Sequence, residues 1–513
     1  DEKVKYVQVF YEGQHNDSRT CLSVALTAAH DGATVANHVE LRSLIVDPTD
    51  GKKVIGAHCL DRISGEEFDV FAKALIFAGG PFTDDMRRLE DPDAPPAVAG
   101  AAGTHIVLPG YMSTNIGLLD MNTSDGRFLF FVPWEGATLV GTTDRKGNPV
   151  TSPRPPEDEI QWLLNETSKY LNLAELRVRR FDVLSAWQGW RPLASDPYAL
   201  PGSPVSRDHI ISVNPDTGVT FITGGKWTTY REMAEDVVSK VVEQKKDVLG
   251  HATPCSTLTK PLIGGHRYTQ NLYVRLIQKY GLKEDVARHL ARAYGTRAYD
   301  VCDLNMTILR NGQNPDQLFK RLVAGFPYLE VEVEYACHEY ARTVTDVLTM
   351  RTRLAYLNVN AAASAAPRVA QLMGQKLNWT DLEREAQLKQ ALSDLAEFGG
   401  PMPKKDSEAL LSSATSQDLL TTFRVLADDE GVMTSSEEVA QAAQALGFPF
   451  RDEEDAKLAF EDMQEPHGSG VVDETAFIDW WRQTKDEEIR LSIDKQLMLN
   501  VDKVTGSTGV MFG

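Results

Sequence analysis

The period of the hydrophobic pattern changes near residue 268, and this change limits the architectures open to the chain. Before it, short apolar or alternating runs at 4–10, 43–46, 54–58, 74–78, 105–108, 127–132, 138–140, 209–213 and 220–223 predict strands. Among them lie helical spacings at 22–30 and after Ser152-Pro153, where Ile160, Leu163, Leu164 and Leu171 share one face. After it, apolar residues recur at three- and four-residue intervals, predicting helices over 272–280, 283–294, 315–323 and a long stretch 330–357. A sheet-rich α+β half followed by an all-helical half is the expected class. The proline-containing segment 399–406 reads as a linker, and a separate helical module with two helix–loop–helix units follows it.

Composition narrows the function. The 513 residues suffice for three or four domains at about 150 residues each. A net charge of −20 argues against nonspecific nucleic-acid binding, so no nucleic-acid partner is expected, and any anionic substrate needs a local cationic pocket. Five dispersed cysteines without C-x-x-C spacing suggest neither a disulfide scaffold nor a zinc site. No apolar run approaches the roughly 18 residues of a membrane span, so membrane contact is expected to be peripheral. Residue 1 is Asp, not Met, so an incomplete or processed sequence is expected, without a readable targeting peptide.

Two glycine pairs follow predicted strands. Ala78-Gly79-Gly80-Pro81 ends the first, where glycine lets a ligand approach the backbone closely. The second is stronger: Gly224-Gly225-Lys226-Trp227-Thr228-Thr229 joins a strand to a helix expected to start near Thr228. Free N–H groups and the positive end of a helix dipole there suit an anionic or electron-rich cofactor edge, and Lys226 adds a mobile charge. No strand–G-x-G-x-x-G–helix fingerprint for a dinucleotide pyrophosphate is present, and a protein holding a dinucleotide cofactor is expected to carry one upstream of residue 1.

Further motifs occur in order along nearly the whole chain: Tyr11-Glu12-Gly13-Gln14-His15-Asn16-Asp17-Ser18-Arg19, Gly103-Thr104-His105, Phe131-Val132-Pro133-Trp134, Gly141-Thr142-Thr143-Asp144, Ala186-Trp187-Gln188-Gly189-Trp190-Arg191-Pro192-Leu193, Ser206-Arg207-Asp208-His209, and Arg351-Thr352-Arg353-Leu354-Ala355-Tyr356-Leu357-Asn358-Val359. With these the chain resembles the FAD-dependent glycerol-3-phosphate dehydrogenases, in the mitochondrial form with a calcium-binding-type C-terminal extension. The resemblance implies an FAD-binding flavoprotein fold with an inserted substrate-binding sheet domain, an all-α cap and an EF-hand-like helical pair. The expected boundaries are 1–100 for the remainder of the FAD domain and the start of the substrate domain, 101–215 for the substrate-binding sheet, 216–250 for the return to the FAD domain, 251–395 for the helical domain, 396–414 for the linker, 415–495 for the helical pair and 496–513 for the tail.

The resemblance also implies oxidation of sn-glycerol 3-phosphate to dihydroxyacetone phosphate, with electrons passing from FAD to ubiquinone at the mitochondrial inner membrane. Such a reaction needs a base for the hydroxyl proton, a hydride acceptor and cations for the phosphate. His105 matches the family's active-site histidine and is the candidate base. Arg191, read as lying in a Gly-x-Arg-Pro turn, offers a planar fork of donors to the substrate. Arg207 and Lys226 are the next cations, with Thr143 and Asp144 as positioning groups. Ala78, Gly79, Gly80, Gly224, Gly225, Lys226, Thr228 and Thr229 are expected on the flavin side. A glycerol-3-phosphate oxidase, an amine-oxidase relative, or a noncatalytic scaffold that has lost its cofactor domain are the alternatives, and a homodimer is one option for assembly.

An EF-hand loop needs oxygen ligands at positions 1, 3 and 5, Gly at 6 and a bidentate Glu at 12. With Gly431 at position 6, Asp428, Glu430 and Glu437 fall at 3, 5 and 12, but position 1 is Leu426. With Gly470 at position 6, position 12 is Ala476. A degenerate pair with weak or absent calcium binding is expected. Its Trp480-Trp481 is read as core.

Overall fold

A computed structural model describes residues 9–112, 116–121, 123–171, 178, 180–194, 208–310, 318–399, 416–428, 431–446, 453–464 and 470–483. Residues 9–16 are irregular, so the strand expected at 4–10 is absent where it is described. Helix α1 (Asp17–His30) starts five residues before the apolar spacing does, because the Asn16 side chain accepts from Arg19 N and caps it. Strands β1 (Val39–Val46), β2 (Val54–Asp61) and β3 (Glu67–Phe71) form an antiparallel meander, followed by the short β4 (Ile76–Phe77) and α2 (Thr83–Glu90).

The central sheet comprises β5 (Val98–Pro109), β6 (Leu118–Asp120), β7 (Leu129–Trp134), β8 (Ala137–Gly141), β9 (Arg145–Lys146) and, after α3 (Glu157–Leu171), β10 (Ser185–Ala194). Its order is β10-β5-β8-β7-β6, with β9 also against β5. Alternation along β5 sends Ile106 and Leu108 to one face, where they pack with Ile160, Leu163 and Leu164 of α3. Gly103, His105 and Val107 point to the other face.

A third sheet joins β11 (His209–Val213) and β12 (Thr220–Gly224) as a hairpin, with β4 parallel to β12 through the pairs Thr220–Ile76 and Phe221–Phe77. Because β4 and β12 run the same way, both glycine pairs leave the same end of this sheet. Helices α4 (Tyr230–Gln244) and α5 (Lys246–Leu249) follow.

The helical half contains α6 (Leu272–Tyr280), α7 (Glu284–Tyr294), α8 (Ala298–Arg310), α9 (Glu330–His338), α10 (Leu354–Leu357), α11 (Val359–Leu377) and α12 (Asp381–Leu395), around two apolar cores. The expected helix at 315–323 does not form: residues 318–323 are turns and an isolated bridge, with Leu322 N donating to Tyr328 O, and 315–317 lie outside the described residues. The long helix expected over 330–357 is broken. Tyr340 and Arg353 have positive φ (66° and 59°), and the Asp346 carboxylate accepts from Arg342 N and Thr343 N where a new helical segment begins. Arg19 of α1 is clamped to this half through Glu339 at 2.6 Å, both buried.

The C-terminal module holds α13 (Ser416–Leu426), β13 (Val432–Met433), α14 (Ser436–Ala445), α15 (Glu453–Gln464), β14 (Val472–Asp473) and α16 (Glu474–Gln483). Met433 and Val472 pair across the two short strands above a core of Phe423, Phe477 and Trp481. Trp481 is buried and the Trp480 indole donates to Asp462 at 2.8 Å, which agrees with the core reading. Most of the linker, residues 400–415, lies outside the described residues.

Candidate functional site

Strand register builds the site. His105 on β5 is paired with Trp187 on β10 and with Gly141 on β8, and Gly141 is in turn paired with Phe130 on β7. The imidazole stacks on Trp187 (centroids 5.6 Å apart, 9° between planes) and leans on Phe130 at 5.6 Å. A Cβ on Gly141 would come within 2.4 Å of His105 Cδ2, so only glycine leaves room for the ring. His105 Nδ1 is buried with no hydrogen-bond partner among the described residues. Burial, and then the positive charge of Arg191, push the His105 pKa down to about 4, and the Gly103 backbone opposes them only weakly. The ring is therefore neutral at pH 7.

Arg191 is not in a turn. It belongs to β10, an edge strand, where Pro192 removes no needed ladder bond. Its guanidinium crosses the sheet face above Gly103. Nη2 donates to Thr142 Oγ1 at 2.9 Å, Nη1 to Thr143 O at 3.4 Å, and Asp144 lies 3.7 Å away. A Cβ on Gly103 would sit 2.5 and 2.7 Å from the two Nη atoms. Gly103→Ala is therefore expected to keep the fold but displace the guanidinium, and a crystal structure of the variant with Arg191 unmoved would contradict this.

Thr143 is buried and faces away from solvent. Its hydroxyl donates to Glu159 Oε2 at 2.7 Å and accepts from Thr104 N at 2.8 Å. Thr104 Oγ1 donates to the same carboxylate, Gln188 Nε2 reaches it at 3.3 Å, and Arg145 Nε pairs with its other oxygen at 2.8 Å. Thr143 thus ties the β8–β9 connection to α3, and its hydroxyl is engaged on the face opposite His105. Asp144 is exposed.

The glycine turns lie beside this patch. Ala194, at the end of β10, packs on Gly224, where a Cβ would approach it to 2.7 Å. Gly224 and Gly225 have φ of 76° and 78°, and Gly80 has 53°, conformations that favour glycine. Trp227–Thr229 form one 3-10 turn before α4, so the α-helix starts at Tyr230, two residues later than expected. Lys226 precedes this turn and is exposed, as is Thr228, while Thr229 Oγ1 donates back to Lys226 O at 3.0 Å. Ala78 and Gly79 lie ahead of a short turn over Gly80–Phe82. The Arg191 side chain is 38% exposed and Lys226 is exposed, so neither of these two cations is buried. Arg207 lies outside the described residues.

At the C-terminal loops, Asp428 Oδ1 accepts from Val432 N at 3.1 Å and Glu437 is exposed on α14, while Glu430 lies outside the described residues. No cluster of three metal-binding side chains occurs among the described residues, and none of their helices is long and apolar enough to cross a membrane.

Phe130 and Glu159 were not singled out from sequence, and Trp187, Gly103 and Gly141 stood within motifs without a role. The alternation of Trp187, Gly189 and Arg191 was the available signal, since residues two apart on a strand share a face.

Residues 3–231 match the family described as FAD dependent oxidoreductase, and residues 255–384 match the C-terminal domain of alpha-glycerophosphate oxidase. The chain is 47% identical over 387 residues to the mitochondrial glycerol-3-phosphate dehydrogenase of Rattus norvegicus and 46% to that of Homo sapiens, each match covering 75% of this chain and 52% of the relative. The Arabidopsis thaliana enzyme is 40% identical over 415 residues, 78% of this chain and 63% of the relative. The chain thus spans about half the length of its mammalian relatives. A crystal structure of the Bacillus halodurans glycerol-3-phosphate dehydrogenase complexed with FAD aligns with a TM-score of 0.63 at 25% identity, over 76% of this chain and 74% of that one. The sheet domains and helical C-terminal domain are those of the FAD-dependent oxidoreductase fold, and over three quarters of its length the chain is similar to the mitochondrial type of glycerol-3-phosphate dehydrogenase.

Proposed function

We propose that the protein oxidises sn-glycerol 3-phosphate to dihydroxyacetone phosphate and passes the electrons to ubiquinone. The observation that carries this reading is a neutral, half-buried His105 with an unengaged ring nitrogen, on the same sheet face as the Arg191 guanidinium. An isoalloxazine fits the surroundings. Glycine turns leave one sheet end together, an aromatic wall stands behind the histidine, and Thr223 Oγ1 beside Gly224 is buried without a partner among the described residues. FAD supplies the acceptor for the hydride; Ala78, Gly79, Gly80, Gly224, Gly225, Thr228 and Thr229 are the residues that would hold it.

His105 takes the hydroxyl proton on a ring nitrogen. Arg191 steadies the developing negative oxygen through its fork of N–H donors, and its charge keeps the imidazole neutral and ready to accept. Lys226 and Arg207 hold the phosphate, with Asp144 orienting Arg191 and Thr143 supporting the loop. The proposed domain division follows the boundaries given above. Peripheral attachment to the mitochondrial inner membrane is the location this reading favours.

The C-terminal module is read as a degenerate EF-hand pair. The buried Met433–Val472 pairing, two residues beyond Gly431 and Gly470, supports it. Leu426 at the first ligand position and Ala476 at the twelfth of the other loop weaken both sites. At 1 mM calcium, differential scanning calorimetry is expected to show a Tm change below about 1 °C; a larger rise would reveal a functional site.

The reaction is tested by the absorbance spectrum of the FAD-loaded full-length protein, recorded without oxygen. Flavin bands that bleach on adding sn-glycerol 3-phosphate support the reading. Bound flavin that ignores this substrate overturns it.

A further inference from the structure

Two motifs that the proposed chemistry leaves unused meet in the fold. Arg353, from the segment 351–359, precedes α10 in the left-handed conformation (φ 59°), which a non-glycine side chain adopts only when its surroundings hold it there. It is 6% exposed. Nη2 donates to the carbonyl of His15, in the segment 11–19, at 3.0 Å, and lies 3.4 Å from Asp17; Nη1 donates to Glu135 Oε1 at 3.1 Å. The guanidinium also stands 5.2 Å over the Trp134 ring.

From two of these partners, His15 and Trp134, a short path leads to the site. The exposed His15 ring accepts the Trp227 indole N–H on Nε2 at 2.7 Å, and Trp227 directly follows Lys226. Trp227 is 40% exposed and stacks on Tyr230, so its orientation depends on few contacts. In the other direction Trp134 touches Trp187 at 5.8 Å, and His105 stacks on Trp187. One arginine of the helical half is therefore linked through His15 to the loop carrying the candidate phosphate cation, and through Trp134 to the Trp187 wall behind the candidate base.

We propose that His15 and Arg353 are positioning residues: Arg353 fixes the His15 backbone, and the His15 ring fixes Trp227, so that Lys226 meets the substrate phosphate. This rests on reading Lys226 as a phosphate-binding cation. An exposed histidine bonded to a partly exposed indole adds little to the core, so a purely structural role would leave binding unchanged on its removal. Positioning affects binding and leaves the fold intact.

The test uses the FAD-loaded full-length enzyme and inorganic phosphate as a calorimetric probe, alongside KM for sn-glycerol 3-phosphate. His15→Phe is expected to raise both the phosphate Kd and KM about tenfold, with a smaller change in kcat and an unchanged Tm. His15→Gln, whose amide oxygen can accept the indole N–H, is expected to stay near wild type, and Arg353→Ala to raise Kd and KM as His15→Phe does but with a lower Tm, because Glu135 loses its buried partner. If Lys226→Ala weakens phosphate but His15→Phe does not, or if Gln fails as Phe does, the positioning role is wrong while the reading of Lys226 stands. If Lys226→Ala leaves the phosphate Kd unchanged, both fall.

Discussion

Arg191→Ala is expected to lower kcat/KM for sn-glycerol 3-phosphate by about 10³-fold, the upper end of the range for removing one preorganised donor to a developing oxyanion. The side chain is 38% exposed and lies over Gly103, so its loss opens no apolar cavity and Tm should hardly move. Arg191→Lys should recover little, because a single ammonium cannot bond Thr142 Oγ1 and Thr143 O while presenting a planar face to substrate. A second effect separates this role from simple packing. The Arg191 charge helps hold the His105 pKa down, so its removal should raise that pKa and move the acid limb of the pH–kcat/KM profile to higher pH. A variant that keeps its activity, or loses it only together with its fold, would remove Arg191 from the chemistry.

Parts of this arrangement were legible in the chain, and the exceptions have physical causes. Helix α6 follows its apolar period through one buried stripe, and β11 and β12 form where short apolar runs predict them, β12 as a run buried at all but its last residue. Strand β10 reads as a turn because Gly189 and Pro192 are turn residues in isolation. In the sheet they lie on an edge strand paired along ten residues with β5, where neither is excluded. The stretch 330–357 reads as one helix because its apolar spacing continues across the break. Tyr340 and Arg353 adopt positive φ without the glycines that would announce it. The same limit applies to the site. His105 and Arg191 stand out through the family's motifs, but their nearness depends on the register of β5 against β10, which no local pattern encodes. Glu159 looks like an ordinary acidic residue in the first turn of α3, and only the fold brings Thr104, Thr143, Gln188 and Arg145 to it.

His105→Gln is expected to reduce kcat/KM by 10²- to 10⁴-fold, roughly the range a positioned general base contributes. It should also change the acid stability of the protein in a direction fixed by linkage. The folded-state pKa of about 4 lies below the ordinary 6.5, so between these values the unfolded chain binds more protons than the folded one. Stability therefore rises with pH through this window and falls as pH drops from about 6.5 towards 4, by at most about 3 kcal/mol from this one group. In the variant that contribution is gone, and its denaturation midpoint should fall less steeply over the same interval. The two readouts are independent. Lost turnover with an unchanged acid slope would mean that the ring is not held neutral by its surroundings, whereas a flattened slope with full turnover would make His105 a packing residue against Trp187. Loss of both is the outcome required by a base whose basicity is held down by burial and by the Arg191 charge, because the desolvation that leaves Nδ1 unpaired also sets the cost of charging the ring.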